Sequence, residues 1–444
     1  MLKTFKIGGV HPAENKISAG KPIKDLPIPN EVKIMVSQHI GAPSKALVKK
    51  GDEVKVGQLI AQSAGFVSTN IHSPVSGKVV KIDQITDTSG FKKEAIIIET
   101  NGDEWDESID RSDALIHETT LDGKAIVEKI SSAGIVGLGG ATFPTHVKLL
   151  PPPGAKADVL IINGVECEPY LTADHRLMLE KGDEILIGTR LLMKALNVDK
   201  AYIGIENNKP DAIENLTQKA LRHQGISVVP LKVKYPQGGE KQLIKAITGR
   251  EVPSGALPIN VGAVVNNVGT AFAVYEAVMK NKPLIERIVS VTGKTIKEPS
   301  NYRVRIGTPV NNLLEAAGGI PENAGKIISG GPMMGKAVTS TDIPVTKGTS
   351  GILIMDEKES HRQEIENCIR CGRCVSACPM GLEPFLMMPL VENNDWERCE
   401  KEMITDCIEC GSCSFTCPAN RPLLDYIRFG KASVTKIIRT RKEK

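Results

Sequence analysis

The chain has 444 residues, a hydrophobic fraction of 41% and a charged fraction of 24%, which is the composition of an ordinary globular protein with several domains. A formal net charge of +4 and an aromatic content of 4% argue against a nucleic-acid partner. The sequence contains no run of about eighteen apolar residues that could span a bilayer, and no apolar leader at its N-terminus, so we expect a cytoplasmic protein.

The first predicted domain comprises residues 1–110 and is rich in short strands. Between residues 39 and 100, brief apolar runs alternate with turn residues such as glycine, proline and serine. Within this part, segments 49–60 and 73–79 resemble the lipoyl/biotinyl barrel-sandwich module. The hairpin that carries the prosthetic lysine of that family corresponds to residues 65–72, which contain no lysine. We therefore expect a docking or structural domain without a swinging cofactor.

Residues 111–283 are predicted to form an α/β domain with a mostly parallel sheet, because apolar strand-like runs alternate with helical patterns. A glycine-rich segment at 134–145 follows a predicted helix at 123–131. Closely spaced glycines allow backbone N–H groups to approach a phosphate, although such a segment can also be only a turn. The segment is therefore a candidate anion site that needs support from other residues.

That support comes from the order of four motifs along the chain. They resemble, in the same order, motifs of the NADH-binding flavoprotein subunit of respiratory complex I, and they lie at 137–148, 163–169, 238–240 and 266–270. The resemblance implies a site for FMN, followed by a site for the nicotinamide of NAD(H).

The resemblance also implies a role for each residue type. The glycine-rich loop and Lys148 would hold the FMN phosphate, while asparagine amides would bind the ribityl chain and ring edge. The expected FMN- and nucleotide-binding residues are Gly137, Gly139, Gly140, Ala141, Phe143, Lys148, Asn163, Gly239, Glu240, Asn266, Asn267 and Thr270. Glu166 and Glu168 would face the nicotinamide as the catalytic residues.

Five positions depart from the flavoprotein motifs. They are Leu138 in place of an arginine, Thr142 in place of a glycine, Val165 in place of an acidic residue, Cys167 between the two glutamates, and Gly269 in place of a glutamate. We expect these changes to affect the nucleotide site more than the flavin site. Cys167 is interpreted as a small buried residue, with a reactive thiol beside the flavin as the alternative. Phe143 could instead be a core aromatic residue, and Glu240 a solvated loop carboxylate.

Residues 284–350 are predicted to form a small β-grasp domain. Two strand-like runs at 288–292 and 302–306 precede an amphipathic segment at 310–317. Residues 288–345 resemble the soluble-ligand-binding β-grasp (SLBB) domain that follows the flavin domain in the same flavoprotein of complex I. We expect it to space and support its neighbours, because it contains no cluster of functional side chains.

Residues 355–430 contain two copies of the run C-x2-C-x2-C-x3-C-P. In bacterial ferredoxins this run binds [4Fe–4S] clusters, and the fourth cysteine of each run binds the other cluster. The pattern therefore predicts a two-cluster ferredoxin domain. The expected ligands are Cys368, Cys371, Cys374 and Cys417 for the first cluster and Cys407, Cys410, Cys413 and Cys378 for the second. Cys399 has no partner at ligand spacing and is assigned no role.

Zinc ribbons are the alternative for these cysteines, because C-x2-C pairs also bind zinc. Zinc requires four ligands in two pairs, whereas each run here has four cysteines followed by proline. A disulfide framework fits less well, since nothing in the sequence directs the chain to an oxidising compartment.

The segment 431–444 is a basic tail. Its charged residues are Lys431, Lys436, Arg439, Arg441, Lys442 and Lys444, against Glu443. It could be solvated and frayed, or be attracted to an anionic membrane surface or an acidic partner.

The four predicted domains combine into a multidomain α/β and α+β chain. Their order, barrel-sandwich, flavin, β-grasp and ferredoxin, resembles the RnfC family within the Rnf ion-translocating ferredoxin:NAD oxidoreductases. That family implies hydride exchange between NAD(H) and FMN, and single-electron transfer through two [4Fe–4S] clusters. It also implies partners among the other Rnf membrane subunits, including a ferredoxin-like iron–sulfur protein, and a peripheral position on the cytoplasmic face of the membrane.

Two alternatives remain open at this point. The related corrin reductases of bacterial microcompartments also join such a flavin domain to paired clusters, but their chains begin at the flavin domain, and residues 1–110 argue against them. A non-catalytic electron-transfer adapter with a decayed nucleotide site is the second alternative, and Leu138, Val165 and Gly269 favour it.

Overall fold

The computed structural model describes residues 2–443. Within that part of the chain the strands form four sheets, and helices dominate after the last strand. This is the mixed α/β and α+β class expected from the sequence.

The first strand, β1 (Ile23–Asp25), does not join the barrel-sandwich domain in which the interval 1–110 placed it. It pairs in parallel with a strand of the β-grasp sheet and covers an edge of that sheet. Upstream residues bridge to the α/β domain, since Lys3 pairs with Leu231 and Val10 with Tyr235. The N-terminal segment therefore contacts both the β-grasp domain and the α/β domain. Its strand β1 pairs with the backbone N–H and C=O groups at an edge of the β-grasp sheet.

The barrel-sandwich domain consists of two small antiparallel sheets around one apolar core. One sheet has the order β2-β8-β7-β4 and the other β3-β5-β6. Alternating residues such as Val32 and Ile34 on one strand, and Ile96 and Ile98 on its partner, point into the core and are fully buried. The strands are β2 (Glu31–Met35), β3 (Lys45–Ala46), β4 (Glu53–Val54), β5 (Leu59–Gln62), β6 (Ile71–His72), β7 (Gly77–Thr86) and β8 (Lys92–Thr100).

The α/β domain is built on a parallel sheet of four strands. The strands are β9 (Val159–Asn163), β10 (Ala201–Glu206), β11 (Ile226–Leu231) and β12 (Ala263–Asn267). The helices are α1 (Gly123–Ser132), α2 (Thr145–Lys148), α3 (Ala173–Glu180), α4 (Gly182–Leu196), α5 (Pro210–Ala220), α6 (Glu240–Thr248) and α7 (Val268–Met279). A short 3-10 helix at Pro258–Val261 precedes β12.

Helices cover both faces of this sheet. On β9, Leu160 and Ile162 belong to one apolar core, while Val159 and Ile161 belong to the core on the opposite face. This explains why the strand reads as a continuous apolar run in the sequence. The sheet order is β11-β10-β9-β12, and all neighbouring strands are parallel. The chain therefore reverses its direction of winding between β9 and β12, and such a switch point is where α/β sheets bind ligands.

The β-grasp sheet has the order β1-β14-β13-β17-β15-β16. Its elements are β13 (Glu286–Thr292), β14 (Ser300–Arg305), α8 (Val310–Ala316), β15 (Ala324–Ser329), β16 (Lys336–Ala337) and β17 (Gly351–Asp356). Leu313 and Leu314 of α8 pack with Val289 and Val291 of β13 in a separate apolar core. The domain thus has a core of its own, to which Leu26 of the N-terminal segment also belongs.

Helix α9 (Glu357–Ser360) packs against β15 and β17 of the β-grasp sheet. The cysteine-rich domain is formed by helices α10 (Arg373–Ala377), α11 (Pro384–Glu392), α12 (Trp396–Lys401), α13 (Ser412–Phe415) and α14 (Leu423–Glu443). A 3-10 helix at Ile404–Asp406 precedes the second cysteine run. The described part of the basic tail continues α14 rather than fraying, and the buried Val434 anchors it to the domain core. Lys444 lies outside the described residues. Among residues 2–443, no helix combines the length and apolar character needed to cross a membrane.

Three domains meet at the start of the glycine-rich loop. The amine of Lys347, from the β-grasp domain, is buried and donates to the carbonyl of Asn70 at 2.8 Å and to that of Gly134 at 2.7 Å. Burial lowers the pKa of Lys347 to about 7. Gly134 has a φ of +69°, and a Cβ there would lie 2.3 Å from the carbonyl oxygen of Asn70. The hairpin that lacks the prosthetic lysine thus packs against this loop.

Candidate functional site

The glycine-rich loop lies over the switch point of the parallel sheet. Asn163, the last residue of β9, is in register with Asn267, the last residue of β12. The backbone N–H of Leu138 donates to the hydroxyl of Thr270 at 3.0 Å, which ties the loop to the start of α7. A Cβ on Gly139 would lie 2.7 Å from Nδ2 of Asn267, so the loop backbone approaches the strand end closely. Segments distant in sequence therefore converge here.

The loop is closed on itself, and its tip faces solvent. The backbone N–H of Gly137 donates to the carbonyl of Phe143 at 2.9 Å. Gly140 and Ala141, at the tip, are exposed, while Phe143 is half-buried. This leaves tip backbone groups accessible to an anionic ligand, as expected for a phosphate cradle.

Lys148 and Glu240 form an ion pair at the same edge of the sheet. The amine of Lys148 donates to Oε1 of Glu240 at 2.8 Å and to the carbonyl of Val265 in β12 at 3.0 Å. Glu240 is the first residue of α6, and Gly239 caps that helix. The structure thus brings together two predicted nucleotide-site residues that are 92 positions apart.

The three asparagines at the switch point do not have equal capacity for a ligand. Asn267 donates to the carbonyl of Asn163 at 3.3 Å and to Oδ2 of Asp174 at 2.7 Å, and it accepts from the N–H of Gly269 at 2.8 Å. Asn163 donates to the carbonyl of Gly238 at 2.8 Å and accepts from the N–H of Val165 at 3.1 Å.

Asn266 differs from its two neighbours. Its side chain is 4% exposed, and its Nδ2 has no hydrogen-bond partner within the described residues. Buried polar groups in proteins are normally paired, and an unpaired one costs about 1 to 3 kcal/mol. An orphaned donor on the penultimate residue of β12, at the switch point, can therefore serve the acceptor-rich edge of a flavin.

Glu166 is engaged at a helix terminus. Its two carboxylate oxygens accept from the backbone N–H groups of Asp174 and His175, at 2.8 and 3.1 Å, at the N-terminus of α3. Burial and the adjacent charge of Glu166 raise the pKa of Asp174 to about 7. Glu166 therefore caps α3 and lies beside the Asn267–Asp174 pair, while its catalytic role stays a prediction.

Glu168 faces the β-grasp domain. Its carboxylate accepts from the backbone N–H groups of Met333 and Met334, at 3.1 and 2.8 Å, and from the hydroxyl of Tyr235 at 3.4 Å. Burial raises the pKa of Glu168 to about 7. The structure thus places the two predicted catalytic glutamates in different surroundings.

Two cationic residues at this site were not predicted, because neither lies in a motif of the sequence. Buried Arg287 of β13 donates to the carbonyl of Leu138 at 3.1 Å, so a cation reaches the loop although Leu138 replaces the arginine of the flavoprotein family. Lys16 donates to the carbonyls of Glu166 and Glu168 at 2.8 and 2.9 Å. Both residues come from other parts of the chain, and only their tertiary contacts identify them.

Cys167 is a half-buried thiol beside Gly238. Burial raises the pKa of its thiol to about 12, which keeps it protonated. Its sulfur accepts from the backbone N–H of Gly238 at 3.4 Å. This favours the interpretation as a small buried residue over a reactive thiol beside the flavin.

Cys378 is the fourth cysteine of the first run, but in the structure it lies near the cysteines of the second run. Cys378, Cys407, Cys410 and Cys413 line one cavity, whose wall is completed by apolar residues such as Met387. Burial raises the pKa of Cys413 to about 12, with smaller contributions from the nearby charges of Cys407, Cys410 and Cys378. Iron binding would offset this rise, because thiolates are the ligands. The crossed set expected from the sequence is thus assembled in space.

The other set lies nearer the surface. Burial raises the pKa of Cys374, and the nearby charge of Cys417 adds to that rise, so these two residues of different runs are neighbours. Cys368 and Cys371 are exposed. Across residues 2–443, no three His, Cys, Asp or Glu side chains converge closely enough for a single metal ion. Sulfurs that are spaced around a cavity, as in the second set, suit a cube of four irons.

A flavin site beside two sets of four cysteines defines an electron-transfer protein. Family models agree with this arrangement. They are the RnfC barrel sandwich hybrid domain at residues 3–103, the Nuo51 FMN-binding domain at 130–276, the SLBB domain at 288–337 and a 4Fe-4S dicluster domain at 341–383. The chain carries FMN-binding and iron–sulfur domains.

Similar proteins cover nearly the whole chain. The RnfC component of the proton-translocating ferredoxin:NAD(+) oxidoreductase complex of Clostridium ljungdahlii is 52% identical over 97% of this chain and 94% of its own length. The RnfC component of the Na(+)-translocating complex of Acetobacterium woodii is 47% identical over 97% of each chain. The chain therefore belongs to the RnfC family of Rnf complexes, which decides against the corrin reductase alternative.

Solved structures show a related fold. The NAD+-reducing [NiFe]-hydrogenase in its H2-reduced state matches 71% of this chain and 63% of that chain, with 19% identity and a TM-score of 0.50. At this identity the match concerns the fold alone.

Proposed function

We propose that this chain exchanges electron pairs with NAD(H) at the switch point of the parallel sheet and passes single electrons through its two clusters to other subunits of a membrane complex. The observation that carries the proposal is the contact between the two sites. Gln242 of α6 donates to the carbonyl of Pro379, next to the ligand Cys378, at 3.2 Å. Electron transfer between the sites then needs no mobile carrier.

The residues at the switch point have separate tasks. Lys148 and the exposed tip of the glycine-rich loop would bind the phosphate end of FMN, and the free amide of Asn266 would bind its ring edge. Glu240, which orients Lys148, would lie on the path of the nucleotide. Bound FMN would convert two-electron into one-electron transfer, because a nicotinamide gives two electrons together and a cluster takes one.

The partners follow from the names of the relatives. Both relatives are parts of ferredoxin:NAD(+) oxidoreductase complexes, so we assign this chain to such a complex as a peripheral subunit on the cytoplasmic face. Its partners would include a ferredoxin-like iron–sulfur protein. The exposed end of the first cysteine set, with Ile369 at 69% exposure, suits a partner that exchanges electrons there.

We expect the partner to protect Ile369 from hydroxyl-radical labelling in the assembled complex by fivefold or more. Leu221, at the end of α5 and 79% exposed, is the matched control and should remain labelled. Equal labelling of Ile369 in the isolated chain and in the complex would place the contact elsewhere.

The function itself is tested by an anaerobic titration of the cluster-reconstituted chain with FMN added. We expect NADH to bleach the flavin and cluster absorbance bands in step. If the bands respond to dithionite and not to NADH, the chain is an electron-transfer adapter, for which the internal partners of Glu166 and Glu168 would be a reason. Omitting FMN is the control, because the clusters alone accept electrons slowly from a two-electron donor.

A further inference from the structure

The second cysteine set packs directly against the flavin-binding domain through one tyrosine. Tyr235 lies between β11 and α6 and is 2% exposed. Its hydroxyl donates to the backbone carbonyl of the ligand Cys410 at 2.8 Å. Tyr235, Cys410, Val10 and Ala377 form one apolar cluster. The hydroxyl therefore reaches a cluster ligand from another domain without water between them.

The opposite side of Tyr235 leads to the switch point. Cys167 packs against the same apolar cluster, and its sulfur accepts from Gly238, three residues after Tyr235. The carbonyl of Gly238 accepts from Asn163 at the end of β9, at 2.8 Å. A chain of direct contacts thus connects the candidate flavin site to Cys410.

The position of Tyr235 is fixed from the β-grasp domain as well. Glu168 accepts from its hydroxyl at 3.4 Å and is held by the backbone N–H groups of Met333 and Met334. The carbonyl of Met333 lies 2.7 Å from where a Cβ on Gly411 would be, so this loop also packs on the cysteine run. Three domains therefore enclose the contact between Tyr235 and Cys410.

We propose that Tyr235 is a positioning residue that sets the reduction potential of the cluster bound by Cys378, Cys407, Cys410 and Cys413, and that this cluster is the one nearer the flavin. The proposal deepens the proposed function and rests on it only for the use of that cluster. Charge near the cluster, hydrogen bonds to its sulfurs and exclusion of solvent set cluster potentials, and Tyr235 acts through the partial charge of its hydroxyl and through its packing. A donor aimed at a ligand carbonyl stabilises the reduced, more negative state, so losing it should lower the potential.

The test is a redox titration of Tyr235→Phe with chemical mediators and dithionite, followed by electron paramagnetic resonance. Neither NADH nor FMN is added, so the result does not depend on whether the nicotinamide site works. We expect the ratio of reduced to oxidised cluster at a fixed ambient potential to fall at least threefold for one cluster. Tyr302→Phe is the matched control, because Tyr302 is equally buried and donates to the carbonyl of Ala316 at 2.9 Å, far from the cysteines in the sequence.

Variants of the cysteine ligands show which of the two clusters has the changed reduction potential. The effect should vanish when Tyr235→Phe is combined with Cys378→Ala and persist when it is combined with Cys417→Ala. Glu168→Gln, measured well above pH 7 where the carboxylate is charged, provides a second measurement, since removing that negative charge beside Tyr235 should raise the same potential. Unchanged potentials in both Tyr235→Phe and Glu168→Gln, or a shift confined to the first set, would overturn the proposal.

Discussion

Replacing Cys378 by alanine is expected to remove the cluster of the second run and to leave that of the first run in place. The reason is that Cys378 lines one cavity with Cys407, Cys410 and Cys413, although it follows Cys374 in the sequence. Iron and sulfide analysis should fall from about eight to about four atoms of each per chain, since each cluster holds four of each. The spectrum of the reduced protein should change from that of two coupled clusters to that of one.

Double variants show which cluster is lost. Cys378→Ala combined with Cys407→Ala should lose no more iron than either change alone, because both ligands belong to one cluster. Cys378→Ala combined with Cys371→Ala should lose both clusters. Cys399→Ala is the control, since this cysteine is fully buried and belongs to neither set. The reverse pattern in the two double variants would show that each run binds its own cluster.

The second large effect is expected from Gly139→Ala, which should weaken FMN binding by tenfold or more. Its Cβ would lie 2.7 Å from Nδ2 of Asn267. That amide cannot move freely, because it donates to the carbonyl of Asn163 and to Asp174. The loop must shift instead, and a tenfold loss corresponds to about 1.4 kcal/mol. Fluorescence titration of the apoprotein with FMN measures the change.

Gly65→Ala is the matched control for this experiment, because Gly65 lies outside the glycine-rich loop. A Cβ at Gly65 meets no atom within 4 Å, so FMN affinity should stay within about twofold of the native value. Iron content should be unchanged in both variants, which separates a local effect from misfolding. Equal FMN affinity in Gly139→Ala and the native chain would show that FMN does not depend on this approach of the loop to the strand.

The parts of the fold that could be predicted were those with local patterns. The buried strand at 159–163 and the helix that begins at Gly123 follow from apolar runs and their spacing. The position of β1 in the β-grasp sheet could not be predicted from the sequence. Its partner strand is nearly 280 residues away, and a three-residue segment contains no pattern that identifies such a partner. The helix after residue 430 could not be predicted for a similar reason. The basic residues there suggested a frayed tail, and they do not reveal that Val434 packs in the core of the domain.

The amino-acid sequence by itself determined the cofactor chemistry of this protein. The spacing of the cysteines is a short-range feature that specifies the type of iron–sulfur cluster. The density of glycines is another, and it allows backbone N–H groups to approach a phosphate. Tertiary structure alone decided which asparagine keeps a free donor, which surroundings Glu166 and Glu168 occupy, and which tyrosine touches a cluster ligand. The physical reason is that hydrogen-bond satisfaction depends on partners from distant segments, such as Tyr235 and Cys410, 175 residues apart.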